Sequence, residues 1–141
     1  MEKWEIQQRI YRLNAERDDI EEQIISLNGK KGRIILESER KSRQQRQAST
    51  FFMARRQAAA SLREGLNGNA VSRILEKYEN IYGCTNENTI TGSLGNVGDY
   101  LSKNCDKIDD LVADLQGQIS SIDWQISECY RELREMESEE V

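Results

Sequence analysis

Side chains able to act as a base, a nucleophile or a metal ligand are scarce in this chain. Its 141 residues include no histidine, so the commonest general base and zinc ligand is missing. Three cysteines, Cys84, Cys105 and Cys129, are odd in number and lack the C-x-x-C spacing of metal and redox sites. They read as small buried hydrophobes. Adjacent carboxylates occur at Asp18-Asp19, Glu21-Glu22 and Asp109-Asp110. Proton transfer between such groups needs a cleft that shifts their pKa values, and these positions read instead as solvated helix faces. The glycines at 83, 92, 95 and 98 match no G-x-x-x-x-G-K phosphate loop. The expectation is a protein that is not an enzyme and carries no metal or cofactor.

Composition says what elements must carry the remaining residues. Hydrophobic residues make up 37 %, charged residues 32 %, proline is absent, and mean hydropathy is −0.78. A thick globular core is not expected from so polar a chain. No run approaches the roughly 20 apolar residues that cross a bilayer, so no membrane insertion is expected. Met1-Glu2-Lys3-Trp4-Glu5-Ile6 lacks the apolar stretch of a secretory signal. This predicts a cytoplasmic protein, or one exported without a Sec signal peptide.

Apolar residues recur in heptads. Steps of four and three from Ile6 reach Ile10, Leu13, Arg17, Ile20, Ile24, Leu27, Lys31 and Ile34, with seven of the nine apolar. A second series runs Leu101, Cys105, Ile108, Val112, Leu115, Ile119, Ile122, Ile126, Cys129, Leu133 and Met136, all eleven apolar. Past Ile34 the chain turns polar but stays rich in helix-forming Arg, Lys, Glu and Gln. The register returns at Ala48, Phe52, Ala59, Leu62 and Leu66. The predicted elements are a helix over about 3–64 with a soft spot at Gly29 and Gly32, a short helix over about 70–82, a loop over 83–98, and a helix over about 99–138. The predicted fold is all-α, a single elongated antiparallel helical hairpin, coiled-coil-like, with a short middle helix.

Charge favours that fold-back. Residues 1–64 carry a net +4 and residues 65–141 a net −9. The hairpin is expected to lay Asp106, Asp109, Asp110, Asp114 and Asp123 beside the basic stretch from Lys30 to Arg63. Arg17 and Lys31, cations inside an apolar seam, are expected to set register or partner.

Six large apolar residues fall outside both seams. Trp4, Tyr11 and Ile25 share the b position of the first helix, Ile35 and Leu36 also lie off the seam, and Trp124 takes an outward f position on the last helix. Large aromatics are enriched at interface cores, so these six predict a surface for a helical protein partner. The segment from Arg40 to Arg46 followed by Phe51-Phe52 suggests nucleic acid as a minor reading. The acidic balance of the whole chain, with a pI near 5.0, argues against it.

The layout of long helix, Gly-containing turn, short helix and Ile/Leu-seamed helix resembles the small WXG-like proteins of Gram-positive type VII secretion. It is most similar to the helical partners encoded beside LXG toxins. The local likeness lies in Leu66-Asn67-Gly68-Asn69-Ala70-Val71-Ser72-Arg73-Ile74-Leu75. Leu66 and Gly68 stand there where the family's turn has tryptophan and glycine. The family's Tyr-x-x-x-Asp/Glu tail is not matched, since Tyr130 is followed four residues later by Arg134. The resemblance implies a partner or chaperone-like targeting factor, docking on the helical N-terminal domain of an LXG-type toxin, with a second small helical protein as a further partner. The alternative from the residues alone is a self-assembling structural coiled coil of phage or scaffold type, hence a homo-oligomer. Nucleic-acid binding through residues 30–63 is the third reading.

Overall fold

The computed structural model describes residues 2–65 and 68–140. They form three helices: α1 (Lys3–Gly65), α2 (Asn69–Tyr82) and α3 (Cys84–Glu139). The fold is an all-α helical hairpin. The chain divides into two compact units. Unit 1 comprises Met1–Arg33 with Cys105–Val141, and unit 2 comprises Ile34–Asn104.

In unit 1, α1 and α3 run antiparallel along the predicted seams. Ile6, Ile10, Leu13 and Ile20 of α1 are buried with Ile122, Cys129 and Leu133 of α3, and Ile24, Leu115, Ile119, Ile126 and Met136 pack against them. Ile6 and Cys129 are the most enclosed, at 1 % and 2 % exposure. Each such side chain contributes about 1.5–3 kcal/mol by leaving water. The apolar seam repeats every heptad, so by itself it tolerates a slip of seven residues. A ladder of ion pairs does not. Lys3 meets Glu137 at 3.6 Å, Arg17 meets Asp123 at 2.7 Å and Lys31 meets Asp109 at 2.5 Å. Partners are 14 residues apart on both helices. A one-heptad slip puts Tyr130, Gln116 or Ser102 where the acids stand, and every pair is lost. Arg17 and Lys31, the two cations inside the seam, both take part in this ladder.

Unit 2 keeps the heptad frame but fills it differently. Ser38, Lys41, Gln45 and Ala48 of α1 are half-buried on the seam, as are Thr91, Leu94 and Gly98 of α3. Gln45 donates its side-chain amide to the Thr91 carbonyl at 3.0 Å. Gly95 leaves room for that side chain, since a Cβ there would lie 3.3 Å from the Gln45 amide nitrogen. Buried Phe52 and Leu75, with Phe51, Tyr78 and Tyr82, form the apolar part of the unit. Arg56 bonds the Glu87 carboxylate at 2.5 Å beside this cluster.

The predicted loop over 83–98 is helix. Gly83 alone separates α2 from α3, and a Cβ there would collide with the Glu79 carbonyl oxygen. Asn86 donates to the carbonyls of Asn80 and Ile81, both at 2.9 Å, satisfying the end of α2. The residues of 84–98 are poor helix formers. Their hydroxyls nevertheless turn back onto the helix: Thr89, Thr91 and Ser93 donate to the carbonyls of Thr85, Glu87 and Thr89. Tertiary contact then holds what propensity alone would not.

The earlier start of α3 also corrects the expected charge pairing. Lys31 at the start of the basic stretch meets Asp109 as expected, but Arg56 and Gln45 farther along meet residues 87 and 91, in a threonine- and asparagine-rich segment. Asp106, Asp110 and Asp114 make no ion pair among the described residues. At the turn, Gly68 takes φ = 128°, a conformation that favours glycine. Leu66, the other residue of the predicted turn motif, lies outside the described residues.

Candidate protein-interaction surface

Of the six predicted partner residues, Trp4, Tyr11, Ile25 and Trp124 belong to unit 1, and Ile35 and Leu36 to unit 2. All six are exposed. In unit 1, Trp4 at 62 %, Tyr11 at 73 % and Ile25 at 72 % recur at the b position of α1, on one outward face, with Asp18 between the last two. Their exposure is a consequence of the seam: it already occupies the a and d positions, so b residues have nothing in the unit to pack on. Trp124 is on α3 at an f position, directly opposite its helix's seam, and is not a member of the α1 stripe.

Ion pairs hold several of the charges of unit 1. Arg17 accepts no proton loss in the ordinary range, because bonding to Asp123 raises its pKa further. Bonding to Asp109 likewise raises Lys31. On α3, Arg131 bonds both Glu128 and Glu135 at 2.7 Å, which lowers the Glu128 carboxyl below the usual range. These charges are committed to one another, while Asp18 lies within the Trp4–Tyr11–Ile25 stripe and Glu5, Gln8, Arg9 and Arg12 surround Trp4.

Several exposed apolar residues escaped the sequence reading. Ile74 and Ile81 face outward on α2, and Ile90 and Val97 share the g position of α3 in unit 2. The last two lay in the segment read as loop. Continuing the heptad backward from Leu101 through Gly98, Leu94, Thr91 and Glu87 would have found them, since the period persists where the composition turns polar. Leu62, expected on the seam, is exposed. Among the cysteines, Cys129 is buried as expected and Cys105 is half-buried, but Cys84 is exposed.

Among the described residues no three His, Cys, Asp or Glu side chains converge as metal ligands, and no helix is long and apolar enough to cross a membrane. The clefts are shallow and lined mainly by exposed helix faces, such as Trp4, Glu5, Gln8, Arg9 and Arg12 on α1. No family model, curated protein or solved structure matches the chain.

Proposed function

We propose that the chain is a non-enzymatic helical binding module whose Trp4–Tyr11–Ile25 face docks on a helix of a larger protein. The observation that carries this reading is the pairing of a closed apolar seam with three large apolar side chains repeating on the outward face of the same helix. Three such residues in register at heptad spacing favour a helical occupant, which presents its own anchors at i, i+3, i+4 and i+7. The likeness of the turn segment to WXG-like proteins extends the proposal. The partner is then the helical N-terminal domain of an LXG-type toxin, and the role is targeting or chaperoning for type VII export.

The test is a pull-down with the N-terminal domain of a toxin of that class encoded beside this chain as prey. Trp4→Ser with Tyr11→Ser should leave helicity and thermal stability unchanged and remove most of the binding. Loss of one central aromatic anchor costs about 2 kcal/mol, roughly thirtyfold in affinity. Equal capture by wild type and by the folded variant would refute this face.

A further inference from the structure

Unit 2 carries a second surface of different chemistry, independent of the Trp4 face. Arg43, Arg46, Gln47, Thr50 and Phe51 line a shallow cleft on the outward side of α1. Arg55 stacks over the Phe51 ring at 5.1 Å. Arg43, Arg46 and Arg55 have no carboxylate within 4.0 Å among the described residues, unlike Lys41, Arg56 and Arg63. Phe51 is 47 % exposed beside them. An unpaired arginine row flanking a half-exposed aromatic fits an anionic occupant with a small apolar recess.

The chain itself contains such a surface. Asp106, Asp110 and Asp114 of α3 form an exposed row at four-residue spacing with no cation partner among the described residues. Beyond them the same outward face carries Ala113, Gly117, Ser120 and Ser121, and the space beside Gly117 is open to at least 4 Å. The spacings match. Arg43 to Phe51 spans about 12 Å of helix and Asp110 to Gly117 about 10 Å, at 1.5 Å per residue. Laid parallel, Arg43 meets Asp110, Arg46 meets Asp114 and Phe51 lands on the small residues.

Charge selects the occupant. Unit 2 holds ten Lys/Arg against seven Asp/Glu, a net +3, and unit 1 holds ten against eighteen, a net −8. A foreign polyanion would meet only the modest net +3 of unit 2. A second copy of this chain brings its own acidic unit to the basic one.

We infer that the protein self-associates through these two surfaces, the Arg43–Arg46–Phe51 face of one copy on the Asp106–Asp110–Asp114 row of another. Sedimentation velocity over a concentration series tests it at about 50 and 500 mM salt, where screening lengths differ severalfold. Association is expected at the lower salt and dissociation at the higher. Arg43→Glu with Arg46→Glu, or Asp110→Arg with Asp114→Arg, should each weaken association on the order of tenfold, as two exposed ion pairs lost together. An equimolar mixture of the two variants should associate again, because the reversed row of one meets the reversed row of the other. All four substitutions lie off the seam, so circular dichroism should be unchanged.

A single unassociated species at every concentration overturns the inference. So does association that survives either reversal or strengthens with salt, which would move the contact to an apolar face. Capture of a labelled oligothymidylate by an unassociated wild type, lost with the arginine pair, would assign the face to nucleic acid instead.

Discussion

Units 1 and 2 are built on one heptad frame and differ in what occupies it. In unit 1 the frame is filled by Ile, Leu and Cys129, so hydrophobic burial supplies the stability while Arg17–Asp123 and Lys31–Asp109 supply the register. In unit 2 the seam holds Ser38, Lys41, Gln45, Thr91 and Gly98, which bury little. Its buried apolar side chains are the seam residue Phe52, in edge contact with Tyr82 beside Tyr78, and Leu75 of α2. The difference separates two properties that a heptad is usually taken to carry together. Period decides which faces of two helices meet; composition decides how firmly they are held and how much of the outer surface is left for others.

The sharpest way to break the comparison is to charge the apolar seam. Ile122→Asp puts a carboxylate into a dry contact and should cost more than about 4 kcal/mol, unfolding unit 1. A thermal melt unchanged within a degree or two would refute the seam. Phe52→Ala should cost about 3 kcal/mol through the cavity it leaves, and native-state hydrogen exchange should show the loss in residues 34–104. If residues 84–98 proved as protected as residues 115–133 in the wild type, the contrast between a dry and a polar seam would not hold.

Glycines sharpen it on a smaller scale. Gly92→Ala adds a methyl group that meets nothing within 4 Å and should stabilise α3 by about 1 kcal/mol. Gly83→Ala should destabilise, because the added Cβ meets the Glu79 carbonyl. Calorimetric shifts of the same sign for both would contradict the junction described.

Electrostatic effects should be the smallest. Exchanging Arg17 and Asp123 should restore register that either single reversal impairs, with the impairment fading as salt rises. The pH windows have opposite signs. Lys31 is raised by Asp109, so its contribution is complete below the ordinary lysine pKa and is lost as pH climbs through the folded value. Glu128 is lowered by Arg131, so its contribution is present above the ordinary glutamate pKa and is lost as pH falls through the folded value. In a carboxyl NMR titration Glu128 should turn over below the ordinary glutamate value; a midpoint at that value would count against the Arg131 contact.

Much of this is legible in the amino-acid sequence. Eleven consecutive apolar heptad positions from Leu101 to Met136 predict α3 and its buried face, and the b positions of Trp4, Tyr11 and Ile25 predict their exposure, because both follow from the 3.6-residue turn of the helix alone. The cations at 17 and 31 announce themselves by interrupting an apolar series. Helix propensity misled at 84–98, where threonine, asparagine and glycine read locally as loop. Those residues are helical because Gln45 and Arg56 of another helix bind Thr91 and Glu87, and that is a contact between positions 31 and 46 residues apart. The start of α3 then fixes what lies beside the basic stretch, so the unpaired state of Arg43 and Arg46 was also beyond reach. Local period is written in neighbouring residues; the pairing of distant ones, and hence which charges are left unanswered, was decided only when the chain closed on itself.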